Sequence, residues 1–194
     1  MGRNRLEAFS DGVLAILITI MVLELRAPES GDVASLRPLV PTLLGYTLSF
    51  VYLGIYWNNH HHLLHAVSRV TGGILLANLH LLFWLSLFPF ATAWMSARHA
   101  DAAPTALYGA VMLLAAAAWL VLQRTIIASQ GDASLLARAV GPDRKGKASF
   151  AAYALAIACT AFEHRIAWAL YVLVALLWLV PDRRIERALE APAV

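Results

Sequence analysis

Two short stretches of this chain carry residue types that do chemistry, in a sequence otherwise poor in them. Arg5-Leu6-Glu7-Ala8-Phe9-Ser10-Asp11 stands directly before a long apolar run, so Arg, Ser and Asp enter it within two helical turns. An acid entering a bilayer needs a partner or a water-filled route, which makes it a functional position by default. The second stretch is Asn58-Asn59-His60-His61-His62-Leu63-Leu64-His65. His61 and His65 are four apart and share a helix face, a spacing that suits a zinc or iron pair.

Each stretch also has a plainer reading. A His-metal membrane enzyme needs several such boxes, and the other histidines are only His80, His99 and His164. Polar packing at a helix end, with His60 or His61 near Asp11, is the simpler role. A histidine beside a carboxylate titrates near neutral pH, so a pH-sensitive contact is compatible with this placement. Ser10, Asp11 and a distant His have the residue types of a hydrolase triad but lack a Gly-x-Ser-x-Gly setting, and helix capping accounts for them more simply. No Gly-rich phosphate loop is present, and the single Cys159 excludes an intrachain disulfide framework. The sequence therefore predicts no enzyme, no catalytic residue, no metal site and no cofactor.

The elements that position these residues follow from composition. The 194 residues are 60% hydrophobic and 14% charged, with a mean hydropathy of +0.67. A soluble domain is near half apolar and about a quarter charged. The charge deficit predicts an all-α integral membrane protein, and the net charge of +3 does not point to nucleic acid. No internal repeat is visible, so residues 1–194 read as one unit. Glu7 and Asp11 interrupt the charged-then-apolar order of a signal peptide, so the first run reads as a retained helix.

A spanning helix takes about 20 mostly apolar residues. Six segments qualify, the last two marginally: Phe9–Leu25, Leu39–Asn58, Gly72–Trp94, Thr105–Ile127, Ala148–Phe162 and Ile166–Val180. Glu163-His164-Arg165 reads as a tight hairpin between the last two; the alternative is one broken helix and five spans. With six spans, one side carries Arg3, Arg5, Arg69, Arg124, Arg138, Arg144, Lys145, Lys147, Arg183, Arg184 and Arg187. The other carries Arg26, Arg37, Arg98 and Arg165. The positive-inside rule then places both termini in the cytoplasm, and five spans would strand the C-terminal arginines outside. The basic loop Arg124–Lys147 is a topogenic loop that can also touch anionic head groups.

On a helical wheel centred on Ile16, the residues Gly12, Val13, Thr19, Ile20 and Leu23 fall within about 60°. This stripe is apolar except for the Thr19 hydroxyl. Asp11 lies about 140° away, with Leu14 and Ile18. Periodicity alone makes this one face of a buried membrane helix, and Thr19 can bond back to its own backbone.

Arg5-x-x-x-Phe9-Ser10-Asp11 resembles the signature of the TMEM175 family of potassium channels, and Asp11 to Thr19 resembles the family's first helix in the same register. Trp57-Asn58-Asn59-His60-His61 is similar to the Trp-x-x-His-His close of its second helix. Asn78-Leu79 and Phe88-Pro89-Phe90-Ala91-Thr92 are similar to its third, with Phe88 in place of a Leu. The resemblance covers the first half of the chain by motif; helices four to six carry no motif. It implies a homotetramer in the cell membrane that conducts K+ passively through a pore lined by the first helices, with no soluble partner. By position it implies apolar rings at Ile16, Ile20 and Leu23 and a selectivity hydroxyl at Thr19. Arg5, Phe9, Ser10, Asp11, His60 and His61 would knit the cytoplasmic end of helix one to its neighbours. A weakly selective or proton-permeable pathway and a His-metal membrane enzyme are the competing expectations.

A buried Asp needs compensation by charge or hydrogen bonds. Asp11→Ala is expected to lower the recovery of assembled protein on gel filtration, or its ion flux; wild-type behaviour in both would remove the role.

Overall fold

The computed structural model describes residues 2–99, 101–131, 136 and 143–179, and the described residues form helices and no strand. The helices are α1 (Arg3–Leu23), α2 (Val40–His65), α3 (Gly72–Ser86), α4 (Phe88–Ala97), α5 (Ala102–Gln130), α6 (Arg144–Cys159) and α7 (His164–Leu179). A 3₁₀ helix over Val33–Leu39 leads into α2. Arg138, Val180, Arg183, Arg184 and Arg187, which entered the topology reading, lie outside the described residues.

Several boundaries depart from the sequence expectation: α1 begins at Arg3 rather than Phe9 and α5 spans Ala102–Gln130 rather than Thr105–Ile127, and three further differences have clear physical causes. The third segment is two helices rather than one. Pro89 has no N–H to give to the carbonyl of Leu85 and its ring crowds that carbonyl, so the ladder breaks at Leu87 and restarts at Phe88. Ser86 Oγ donates to Phe83 O at 2.7 Å beside the break. The second helix does not stop at Asn58 but runs to His65. No Gly or Pro intervenes, and the buried Leu63 and Leu64 reward another two turns. α6 begins at Arg144 instead of Ala148 because Asp143 caps it, its Oδ1 accepting from Gly146 N at 3.0 Å.

α1, the Val33–His65 run, the joined α3 and α4, and α5 are each long and apolar enough to cross a membrane. α6 and α7 have 16 residues each, roughly 24 Å of helix. A four-residue turn over 160–163 separates them, earlier than the hairpin expected at Glu163-His164-Arg165, since His164 and Arg165 already belong to α7.

Contacts fix the direction of each helix. Arg3 Nη1 donates to His65 O at 3.2 Å, joining the start of α1 to the end of α2. Gly73 faces Thr125 across 3.4 Å from its Cβ position, joining the start of α3 to the end of α5. At the opposite end Thr92 of α4 meets Met21 of α1, and Tyr171 Oη donates to Thr105 O at 3.0 Å. Successive passes therefore alternate in direction, with Arg3, Arg5 and the basic start of α6 at one end of the bundle.

Two devices hold the bundle together in lipid, where apolar burial alone gives little drive. Small residues let backbones approach: Ala115 and Ala118 of α5, Ala156 of α6 and Ala167 of α7 are wholly buried. Hydroxyls bridge the helices. Ser49 Oγ lies 2.7 Å from Thr92 Oγ1 and 3.0 Å from Tyr108 Oη, and Tyr52 Oη donates to Tyr171 O.

A Cβ at Gly109 would collide with the Tyr171 hydroxyl and come within 2.9 Å of Ile157. Gly109→Ala should lower the thermal midpoint of the purified protein, a loss of about 1–3 kcal/mol from overpacking. Gly54→Ala, with open space at its Cβ, should leave the midpoint unchanged.

Candidate functional site

α1 is amphipathic in an unusual sense, since both faces are apolar and only one is covered. Leu6, Ser10, Leu14, Leu17 and Met21 are buried against α2, α3 and α4. Phe9, Gly12, Ile16, Thr19, Ile20 and Leu23 are exposed. Leu14 is 2% exposed, whereas Ile16 is 57% and Leu23 78% exposed. The uncovered face keeps Gly12, Ile16, Thr19, Ile20 and Leu23 of the helical-wheel stripe and adds Phe9, Ala15 and Val22, whereas Val13, also expected on the stripe, is half-buried against the core.

Thr19 is the only hydroxyl on that stripe. Its Oγ1 donates to Ile16 O at 2.8 Å. The hydroxyl hydrogen is thus turned into the helix and the oxygen lone pairs face outward. A threonine so held offers an acceptor to a cation and no donor to an anion.

At the other end of α1, three helices are joined by one polar chain. Ser10 Oγ donates to Leu6 O at 2.9 Å. With its hydrogen committed, Ser10 accepts from Asn78 Nδ2 at 3.0 Å. That orients the Asn78 amide so that Oδ1 faces His60 Nε2 at 2.7 Å. His60 must then carry its proton on Nε2. Its Nδ1 is buried without a hydrogen-bond partner among the described residues. All three side chains are essentially inaccessible. The donors run one way, from α2 through α3 to α1.

A second contact lies nearer the surface, where His61 Nδ1 and Glu7 Oε1 are 2.7 Å apart. His61 also stacks edge-on with His62 and His65. Of the residues singled out from the sequence, Ser10, His60 and His61 are brought into contacts between helices. Arg5 and Asp11 are not: among the described residues neither makes a side-chain hydrogen bond or ion pair. Asp11 is half-buried and Arg5 exposed on the subunit surface. Asn78 and Glu7 complete the two contacts. Asn78 was visible beforehand only through a family motif, and Glu7 only as an interruption of a leader-like pattern. Among the described residues no three His, Cys, Asp or Glu side chains converge to hold a metal ion. His60 is turned inward to Asn78 while His61 reaches Glu7.

Asn78→Ala removes the middle of the chain and leaves His60 Nε2–H without its acceptor. A cost of about 1–3 kcal/mol is expected, read as a lower thermal midpoint. Glu7→Gln should shift it by much less, since that pair is partly exposed.

Comparison with known proteins places these features. The TMEM175 profile, described as endosomal/lysosomal potassium channel TMEM175, matches residues 5–89, the stretch that holds most of α1 and the whole polar chain. A protein of Chryseobacterium sp. named as a potassium channel is 52% identical over 98% of this chain and 99% of its own length. The human protein named as the endosomal/lysosomal proton channel TMEM175 is 33% identical over 50% of this chain and 22% of its own length. The crystal structure of a lysosomal potassium-selective channel TMEM175 homologue from Chamaesiphon minutus superposes with a TM-score of 0.79 at 25% identity, over 93% of this chain and 97% of that one. With its signature on α1, its bundle matched end to end and a half-identical relative across its length, this multi-pass membrane protein belongs to the TMEM175 family.

Proposed function

We propose that the chain is a potassium-selective cation channel whose subunits, four in the assembly, surround a pore lined by α1. The observation that carries this reading is the uncovered stripe of Ile16, Thr19, Ile20 and Leu23 on a chain half-identical to a protein named as a potassium channel. One stripe cannot enclose a path; several copies around an axis can. Each ring of Ile16 side chains forms an apolar constriction, which gates by dewetting. Thr19 sits three residues on, about one turn toward the other membrane face, and contributes one outward-facing oxygen per subunit. An ion passing Ile16 loses part of its water shell and regains oxygen ligands at Thr19. Potassium gives up water more readily than sodium, so this order of events favours it. Ile20 and Leu23 extend the apolar lining.

Arg5, Phe9 and Asp11 remain on the subunit surface at the basic end of α1, so their role in this reading is contact between subunits. The Ser10–Asn78–His60 chain sets the rotation of α1 within each subunit. With α3 and α4 counted as one pass, the chain crosses six times as a single unit over residues 1–194. The excess of basic residues at the end bearing Arg3, Arg5 and Lys145 supports cytoplasmic termini, and in this reading the membrane is the cell membrane. Conduction is passive, with K+ as the permeant ion and no cofactor. A second reading, proton permeation, is favoured by the name of the human relative; an apolar constriction bridged transiently by water would carry protons.

The reversal potential across a planar bilayer, with K+ on one side and Na+ on the other, tests the function. A shift toward the potassium equilibrium potential is expected. A reversal near zero with clear current would discard selectivity, and a reversal that follows a pH gradient would favour protons. In the same assay Ile16→Asn should raise the unitary conductance several-fold, and Thr19→Val should move the reversal potential toward zero. Unchanged values in both would move the pore away from α1.

A further inference from the structure

A polar side chain on the surface of a membrane bundle gets no partner from lipid tails, so its own helix or another chain must serve it. Thr19, Ser86 and Thr125 are served by their own helices, each hydroxyl donating to a carbonyl three or four residues earlier. His80 of α3 and Asn58 of α2, both exposed, are not. Trp84 Nε1 donates to His80 Nε2 at 2.9 Å. An indole nitrogen can only donate, so Nε2 is the acceptor and the neutral imidazole carries its proton on Nδ1. Among the described residues that N–H has no acceptor. It belongs to a surface otherwise formed by the exposed Leu76, Leu79 and Phe83. On α2, Asn59 bonds back to Ile55 O, whereas the Asn58 side chain makes no hydrogen bond among the described residues.

The two groups stand at one level. His60 Nε2 and Asn78 Oδ1, 2.7 Å apart, form a rung between α2 and α3. α2 runs toward the basic end of the bundle and α3 runs away from it. Asn58 and His80 are each two residues from the rung, so both lie about 3 Å farther from that end. They also occupy opposite flanks. α1 packs against both α2 and α3, which have little contact with each other, so the exposed faces of α2 and α3 lie on either side of the α1 stripe. When copies are arranged with α1 toward a common axis, the α2 flank of one meets the α3 flank of the next, a head-to-tail contact that closes into a ring.

We propose that the seam between neighbouring subunits is fastened by His80 Nδ1–H donating to Oδ1 of the partner subunit's Asn58, a contact that rests on the assembly described under the proposed function. Every copy gives one such bond and receives one. Leu79 and Phe83 beside His80, and Trp57 beside Asn58, are exposed in the single subunit and supply apolar cover for the pair. Because the pair lies two residues from His60 and Asn78, it ties the seam to the polar chain that sets the rotation of α1.

Disulfide cross-linking in membranes tests the pairing. With Cys159→Ala as background, Asn58→Cys combined with His80→Cys should give, on oxidation, a ladder of covalent oligomers on a denaturing gel. Each single cysteine variant should stay monomeric there. Native mass spectrometry separates the two levels of the argument. An intact oligomer without the ladder would overturn the His80–Asn58 seam and leave the assembly standing, whereas a monomeric wild type would overturn both. Dimers from His80→Cys alone would mean a two-fold symmetric contact and would also overturn the seam. A second measurement needs no cysteine. His80→Leu and Asn58→Leu should each lower the temperature at which the oligomer dissociates, and the double variant should lower it no further than the larger single effect. Fully additive shifts would overturn the pairing.

Discussion

In a bilayer a polar side chain that leaves the surface must find its partners within the protein, because the hydrocarbon offers none. Ser10, Asn78 and His60 meet that constraint together, and each step forces the next. Ser10 spends its hydrogen on Leu6 O, Asn78 must therefore donate to Ser10, and His60 must donate to Asn78. No member can rotate away without leaving a buried group unmatched. The helices α1, α2 and α3 are thus locked in rotation as well as in position. Apolar packing alone gives no such lock, since one face of Leu and Ile slides over another at little cost.

The rotation of α1 has a direct consequence through helical periodicity. With Ser10 turned inward, Leu6, Leu14, Leu17 and Met21 fall on the same side at spacings of three and four. Ile16, Thr19, Ile20 and Leu23 are left on the other. The exposed stripe is therefore held by a hydrogen-bonded chain that lies wholly off the stripe. At the far end of the bundle the Ser49–Thr92–Tyr108 cluster secures α2, α4 and α5 in a comparable way. The break at Leu87 turns Phe88 into the core, where its ring meets Tyr52, Tyr56 and Tyr108.

The apolar runs, their alternation and the two-faced character of α1 were legible in the sequence because hydropathy and the 3.6-residue period carry that information directly. The family signature placed attention on Ser10, His60 and His61 for the same local reason. Partner choice was not legible. Asp11 was the acid that demanded compensation, yet the pairing with histidine falls to Glu7, one turn earlier, and Asn78 supplies the link that no spacing within α1 or α2 announces. Contacts between residues 68 positions apart depend on how three helices dock, and a local pattern does not encode that. The extension of α2 through the histidines was missed because polarity was read as a boundary, although Leu63 and Leu64 continue the buried face. The Pro89 break was missed because hydropathy is blind to a lost backbone donor.

The need of buried and membrane-level polar groups for partners also bears on the proposed assembly. Inside the bundle the polar chain is matched almost throughout. By contrast, the exposed Arg5 and the half-buried Asp11 make no side-chain hydrogen bond or ion pair among the described residues. Lipid can cover Ile16, Ile20 and Leu23 at no cost, but it cannot serve a guanidinium and a carboxylate. In the proposed assembly, copies of the chain about an axis at α1 would turn the apolar stripe onto a shared path. Thr19 then gains its meaning: its hydrogen is held by Ile16 O, so what it presents to that path is oxygen alone. A ring of such oxygens attracts cations, repels anions and needs no charged residue in the pore, which keeps the cost of entry low and lets the ion leave again.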